Sequence, residues 1–167
     1  MGMSKMLIRT AERGDLARIT EIYNDYVPNT PGTFDVEAYT VERREAWFAQ
    51  FSVTGRHRLL VAEENVMVVG YAGTTRVRPK QRTRQQWRRR FIVRRRRRGR
   101  YWEAHVYGVV EVLRGEDIHR FVAGYVVPNA ATEALHRRFG FKVVGVFGEN
   151  GRKFGKYWDV CWVKRAG

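Results

Sequence analysis

The sequence has little of several features that mark particular classes of protein. Only one of its 167 residues is cysteine, Cys161, so an internal disulfide is excluded and a reducing compartment is favoured. No apolar run approaches membrane-spanning length, and the opening MGMSKMLIR lacks the apolar core of a signal peptide. No His, Cys or Asp cluster has metal-ligand spacing, and no Ser–His–Asp pattern stands out. We therefore expect a soluble cytoplasmic protein without a membrane segment or a metal.

Acidic residues are absent from one window. Residues 76–100 contain thirteen arginines and Lys80 but no Asp or Glu. The window holds 14 of the 32 basic residues, which leaves 18 for the rest of the chain against 17 acidic residues. The net charge of +15 is therefore a property of this window alone. A nucleic-acid-binding protein usually spreads its basic residues over a face instead.

The rest of the chain has the composition of a globular protein, with 44% hydrophobic residues and a length that suits one domain. Apolar residues at helical spacing follow Asp15, which can cap that helix. The expected elements are, in order, a strand over 7–9, a helix after Asp15 that Pro28 and Pro31 break, a helix over 40–51, strands over 59–63 and 66–73 joined by a turn at 64–65, a helix ending at Arg114, a strand over 118–127, a short helix and two further strands.

The stretch from Val127 to Phe141 reads VPNAATEALHRRFGF and joins a strand to a short helix. Pro128 favours an extended approach, Asn129 is a turn-forming or capping residue, and Gly140 ends the helix. The pattern P-N-x-x-(S/A/T)-x-x-L-H-x-x-x-G-F resembles the last motif of the GCN5-related N-acetyltransferases, the GNAT family. Within that family it is most similar to the phosphinothricin and methionine sulfoximine acetyltransferases.

Three further segments resemble the same family. They are IRTAERGDLARITEIYNDYVPNTPGTFD from Ile8, VMVVGYAGTTRVRP from Val66, and GRKFGKYWDVCWV from Gly151. The resemblance implies a single N-acetyltransferase domain over residues 1–167 with an α/β fold. It further implies a mixed, mostly antiparallel sheet of about seven strands, flanked by helices and splayed at the acetyl-CoA site. A homodimer is also expected from it.

The implied reaction is transfer of an acetyl group from acetyl-CoA to the primary amine of a small, glutamate-like compound. An amine with a pKa of about 9–10 is mostly protonated at neutral pH, so a base must remove its proton. By resemblance, Tyr26 and Phe34 line the acceptor site, although both are also typical core aromatics. Arg76 and Arg78 are candidates for gripping an anionic group of the acceptor, because a guanidinium binds a carboxylate bidentately.

The resemblance also assigns positions for the cofactor and the proton transfer. Phe91, Ile92 and Val93 fall on the splayed strand, whose backbone N–H stabilises the oxyanion in the family. His136 matches the family's histidine and could assist proton transfer or contact the cofactor, while a structural role is the common one for a lone helical histidine. The family's acid falls at Trp87, which cannot act as a base. Further cofactor-binding candidates are Asn129 and Arg138, and, at the position of the phosphate loop, Arg97, Arg98, Gly99, Arg100, Tyr101 and Trp102.

The resemblance fails over residues 81–106. The family's phosphate loop is R-G-x-G-(I/L/V)-G, in which glycines let backbone N–H groups close around the pyrophosphate, and only Gly99 survives of it. Read one nucleotide later, the codons of residues 99–103 permit Gly-Gly-Ile-Gly-Arg. Read two nucleotides later, those of 81–91 permit Ala-Tyr-x-x-Thr-Val-Glu-x-Ser-Val-Tyr, the family's strand with its acid.

We therefore hypothesise that residues 81–106 are a frameshifted translation. The alternative is a real basic segment on an acetyltransferase scaffold. Its arginines would then bind phosphates, and interleaved aromatic residues such as Trp87 and Phe91 would stack on bases of a nucleic acid or the ribosome.

Overall fold

Seven strands of the described residues form one sheet. The computed structural model describes residues 6–76, 86–93, 108 and 110–167, with the backbone alone at 76 and 86–93. The strand order is β1-β2-β3-β4-β5-β7-β6. The strands are β1 (Met6–Thr10), β2 (Leu59–Glu64), β3 (Met67–Arg76), β4 (Gln86–Val93), β5 (Arg120–Val127), β6 (Lys142–Lys153) and β7 (Lys156–Ala166).

The sheet opens between β4 and β5. Both strands are well paired on their other sides, β4 with β3 and β5 with β7, each in antiparallel register. Between themselves they pair in parallel only at three positions, Gln86 with Arg120, Trp87 with Phe121 and Arg88 with Val122. Beyond these pairs the two strands diverge. This arrangement confirms the predicted α/β fold with a mixed, mostly antiparallel and centrally splayed sheet.

Helices cover both faces of the sheet because alternate residues of each strand point to opposite sides. Leu59, Val61 and Tyr71 pack with α1 (Leu16–Asn29), while Leu60 and Ala72 pack into the cluster on the other face. The helix α2 (Val41–Phe48) joins the first cluster, and α3 (Ala130–Arg138) follows β5. Residues 108 and 110–112 are also helical. No described helix is long and apolar enough to cross a membrane.

The first helix begins differently from the expectation. Asp15 is the residue before α1, but its side chain does not cap that helix. Its carboxylate instead accepts hydrogen bonds from the backbone N–H of Glu12, at 2.8 Å, and from the Arg9 guanidinium, at 2.7 and 2.9 Å. Burial opposes ionisation, but these hydrogen bonds outweigh it and lower the pKa of Asp15. The aspartate therefore ties β1 to the start of the helix.

Several predicted boundaries shift by a few residues. Pro28 lies inside α1, whose last residue is Asn29, because a proline in the last turn removes only one hydrogen bond. The helix α2 ends at Phe48, three residues before the predicted end. The β2–β3 turn is at Asn65 and Val66, whose φ angles of 50° and 65° suit a two-residue hairpin.

The helix before β5 and that strand itself also differ from the predicted bounds. The helical residues stop at 112 and a turn follows, in which Gly115 adopts a φ of +87° that favours glycine. The strand begins at Arg120, two residues after the predicted start. The strand–helix–strand unit around Asn129 matches the prediction. At the start of α2, Thr40 Oγ1 accepts a hydrogen bond from the backbone N–H of Arg43 at 3.3 Å and caps the helix.

Candidate active site

The opening between β4 and β5 leaves backbone groups without a partner on the neighbouring strand. Trp87 lies at a paired position, opposite Phe121 on β5 and Arg76 on β3. Phe91, Ile92 and Val93 pair with β3 but lie beyond the last β4–β5 pair. Backbone N–H and C=O groups facing such an opening need a hydrogen-bonding partner, which an extended ligand can supply. The backbone alone thus brings the three predicted oxyanion-strand residues to an opening in the sheet.

Asn129 stands between β5 and α3, at the edge of the opening. Its side-chain Oδ1 accepts a hydrogen bond from the backbone N–H of Thr132 at 3.1 Å and so caps the helix. Its backbone carbonyl accepts from the N–H of Glu133 at 3.0 Å. The Nδ2 of the amide makes no hydrogen bond to any residue that the structure describes. The predicted capping role is confirmed, and the two donors of Nδ2 are not used by any described residue.

His136 is packed inside α3 and not presented to solvent, with 4% of its surface exposed. Its Nδ1–H donates to the carbonyl of Thr132 at 2.8 Å. The imidazole stacks on the ring of Tyr125, with centroids 5.3 Å apart and planes at 17°, and meets the edge of Phe141 at 5.2 Å. A shallow pocket of about 230 Å³ lies beside it, lined by Tyr125, Glu133, His136, Arg137, Phe141 and Lys142 among others.

Tyr125 stacks on His136 and lines the same pocket, although its sequence context did not single it out. Burial, together with a hydrogen bond to Cys161, raises the pKa of its phenol, so the group stays neutral and able to donate at physiological pH. Tyr125 lies on the part of β5 that has left β4, four residues before Asn129. A tyrosine within an apolar strand gives no local signal of function, because the same pattern is typical of a core residue.

The loop after α1 brings Phe34 against β6. A Cβ atom built on Gly151 would come within 2.5 Å of the Phe34 ring, so the ring lies directly over the glycine. Tyr26, the other predicted wall residue, is 5% exposed and packs in the α1 core. Lys153 of β6 donates from Nζ to the carbonyl of Thr33 at 2.6 Å. The structure thus places the ring of Phe34 against Gly151, whereas Tyr26 packs in the core.

Of the remaining predicted site residues, two belong to the described part of the chain and the others do not. Arg76 is the last residue of β3, and its backbone pairs with Trp87. Arg138 is exposed in the last turn of α3. Arg78 and the predicted phosphate-loop residues Arg97, Arg98, Gly99, Arg100, Tyr101 and Trp102 lie outside the described residues. Within the described part of the chain, no three His, Cys, Asp or Glu residues are grouped as metal ligands.

Comparison with known proteins matches this fold to one family over almost the whole chain. The family model of the GNAT acetyltransferase domain matches residues 8–162. The phosphinothricin N-acetyltransferase of Streptomyces coelicolor is 38% identical over 98% of this chain and 98% of its own length. An L-methionine sulfoximine/L-methionine sulfone acetyltransferase of Pseudomonas aeruginosa is 32% identical over 94% of this chain and 92% of its own. The Salmonella typhimurium protein yncA, solved with its cofactor acetyl-CoA, superposes with a TM-score of 0.88 at 30% identity, covering 96% of this chain and 93% of that one.

Proposed function

Since the chain belongs to the GNAT acetyltransferase family, we propose that it moves an acetyl group from acetyl-CoA to the amine of a small amino-acid-like acceptor of the phosphinothricin or methionine sulfoximine type. The observation that carries the proposal is the opening between β4 and β5, where an extended ligand finds unpaired backbone. The named activities of relatives that match nearly end to end support the acceptor class.

The residues around the opening fit an acetyl-CoA molecule. We place its pantetheine arm along Phe91, Ile92 and Val93, where the backbone has no β5 partner, with Asn129 Nδ2 as a further donor. Acetyl-CoA supplies the thioester carbon that the amine attacks. A backbone N–H of β4 then stabilises the charge that develops on the carbonyl oxygen. Arg138 is proposed as a further contact to the cofactor. In the sequence, residues 97–102 occupy the position of the family's phosphate loop.

Proton removal from the acceptor amine needs a base, and the chain lacks one at the position where the family has its acid. Trp87 stands at the position of the family's acid and carries no ionisable group. His136 is the proposed alternative, and its Nδ1–H bond to Thr132 fixes the ring so that Nε2 would be the atom that takes a proton. Because the ring is buried between Tyr125 and Phe141, it acts on the acceptor through an intervening group, such as a water molecule.

The acceptor is proposed to lie against the loop that follows α1. Phe34 provides an apolar wall held on Gly151, and Tyr26 backs that wall from the core. Arg76 ends β3 opposite Trp87, and Arg78 comes two residues later in the sequence. Both are proposed to grip the carboxylate of the acceptor. An acceptor that carries both an α-amine and an anionic group matches these contacts.

The proposal is tested by following thiol release from acetyl-CoA with single acceptors. We expect turnover with L-phosphinothricin and L-methionine sulfoximine, and at least tenfold less with the matched compounds whose α-amine is replaced by hydrogen. The same assay on a second form of the protein, with Thr-Val-Glu and Gly-x-Gly-Ile-Gly restored over residues 81–106, separates a wrong acceptor from a damaged cofactor site. Absence of turnover in both forms would contradict the proposed acceptor class.

We further propose that two copies of the chain associate through β6. This strand is at the edge of the sheet, and it exposes the apolar side chains of Val143, Val144, Val146 and Phe147, each more than half exposed. An exposed, apolar edge strand is a template for pairing with another chain. The homodimer expected from the family resemblance fits this edge.

A second candidate function, binding of nucleic acid or a ribosome surface, is favoured by one observation. Thirteen arginines and a lysine stand within residues 76–100 without an acidic residue. Such a segment neutralises phosphates and makes binding strongly dependent on salt. The side chains concerned lie outside what the structure describes, so this candidate rests on the sequence alone.

A further inference from the structure

Lys153 is a buried lysine at the end of a strand whose other side chains are largely exposed. Only 5% of its surface is accessible, and its Nζ lies 2.6 Å from the carbonyl oxygen of Thr33, 120 residues earlier in the chain. Desolvation lowers the pKa of Lys153, while the negative charge of nearby Asp35 opposes that shift. A lysine is rarely buried without a specific partner, so the bond to Thr33 explains why this one is held inside.

The loop that accepts this bond is also fixed from α1. The Tyr23 hydroxyl hydrogen-bonds with Thr33 Oγ1, at 2.7 Å, and with the carboxylate of Asp35. Further along the loop, the Asn24 side chain binds both backbone groups of Tyr39, at 2.8 and 2.9 Å. The loop between Thr33 and Tyr39 is therefore anchored to α1 at both ends. Lys153 adds an anchor from the opposite direction, on β6.

The same loop makes a second contact with β6 at Gly151, two residues before Lys153. The ring of Phe34 covers Gly151, whose missing side chain makes room for it. Residues i and i+2 of a strand point to the same face, so Gly151 and Lys153 meet consecutive residues of one loop. Lys153 fixes the carbonyl of Thr33, and Gly151 receives the ring of the next residue. The position of Phe34 is thus determined by β6 as well as by α1.

We propose that Lys153 is a positioning residue of the acceptor site, which holds Thr33 so that Phe34 stays on Gly151 and walls the acceptor. The inference rests on the proposed function, in which Phe34 contacts the acceptor. Lys153 touches neither substrate. Its loss leaves the Thr33 carbonyl without this donor and frees the Phe34 wall, while the opening between β4 and β5 is unchanged. Binding of the acceptor therefore weakens and binding of acetyl-CoA does not.

The kinetic test compares Lys153→Met, which keeps the length of the side chain and removes the donor, with the exposed lysine variant Lys164→Met as control. We expect the KM for the acceptor to rise at least tenfold in Lys153→Met, with the KM for acetyl-CoA within twofold of wild type. Lys164→Met is expected to match wild type for both substrates. An equal rise of both KM values, or no rise in the folded variant, would overturn the proposal.

Gly151→Ala perturbs the same contact without touching the lysine. The added methyl group meets the Phe34 ring, so we expect the same selective rise in acceptor KM. In a Phe34→Ala background the methyl group meets no ring, and Gly151→Ala is expected to change the acceptor KM less than twofold. An undiminished effect of Gly151→Ala in that background would overturn the proposal, because Gly151 would then act independently of Phe34.

Amide hydrogen exchange tests the inference without any acceptor. Lys153→Met is expected to raise exchange at residues 33–36 at least tenfold and to leave α1 residues 19–26 at wild-type rates. If the wild type turns over none of the acceptors, the proposed function fails while this readout still applies. Unchanged exchange at residues 33–36 in Lys153→Met would refute the positioning role whichever acceptor is used.

Discussion

Asn129 shows how one side chain can serve the fold and the site at the same time. Its Oδ1 caps α3 by accepting from the N–H of Thr132, while its Nδ2 makes no hydrogen bond to any described residue and lies beside the opening in the sheet. Removal of a capping side chain typically costs about 1 kcal/mol of stability. Loss of one hydrogen bond to a ligand costs a similar amount, which corresponds to roughly a fivefold change in affinity. The two roles are separable because they use different atoms.

We predict that Asn129→Ser keeps the cap and loses the ligand contact, whereas Asn129→Ala loses both. Serine is as good a capping residue as asparagine but has no amide donor. Thermal denaturation should show Asn129→Ala less stable by about 1 kcal/mol and Asn129→Ser nearly unchanged. The KM for acetyl-CoA should rise about fivefold in both variants. A wild-type KM in Asn129→Ser would mean that the amide does not contact the cofactor.

At the scale of elements, the two edges of the sheet differ in character. The edge strand β1 is short, and Arg9 on it is paired with Asp15 and Glu63. The opposite edge strand, β6, is twelve residues long and exposes valines and Phe147. Short, charged edges discourage strand pairing, whereas long apolar edges favour it. We therefore assign the interface of the proposed homodimer to β6.

We predict that Phe147→Asp separates the dimer into monomers. An aspartate buried against an apolar partner surface has no counter-charge, so association becomes unfavourable. Light scattering during size-exclusion chromatography should give about twice the chain mass of 19.6 kDa for wild type and the single mass for the variant. Leu7→Asp, at a half-exposed leucine of β1, is the matched control and should remain dimeric. A dimer that survives Phe147→Asp would exclude β6 as its interface.

For the molecule as a whole, the main question is whether the basic window is the true sequence, because the positions of the family's acid and phosphate loop fall within it and across its end. Outside residues 76–100 the chain is electrically balanced, with 18 basic and 17 acidic residues. The described residues on both sides of residues 94–107 form one continuous sheet, and the family model matches across the window. A frameshift that keeps length and fold but replaces the family's acid and phosphate loop accounts for all of these features.

Intact mass and tryptic mapping of the purified protein test the frameshift. The hypothesis predicts a long peptide that carries Thr-Val-Glu and, further on, Gly-x-Gly-Ile-Gly. Short fragments that end at successive arginines between Arg82 and Arg100 would contradict it and establish a real basic segment. In that case retention on heparin should fall steeply with salt, because several phosphate-like contacts are lost together.

Most elements of the fold follow from sequence patterns, because each pattern depends on residues that are close together along the chain. The apolar spacing of α1 and the Asn129 and Gly140 signals around α3 depend on near neighbours along the chain. Their boundaries moved by a few residues, as at Pro28, where a proline in the last turn costs too little to end the helix earlier. The family resemblance of four segments then predicted the sheet and its central opening.

The assembly of the candidate site depends on contacts between residues that are far apart in the sequence. The opening exists because β4 and β5 pair at three positions and then separate, which no local pattern of either strand specifies. Tyr125 and Lys153 resemble ordinary strand residues until the fold stacks one on His136 and places the other against Thr33, 120 residues away. Side chains acquire such roles from neighbours that are distant in sequence, because burial and hydrogen-bond partners are fixed only when the chain is packed.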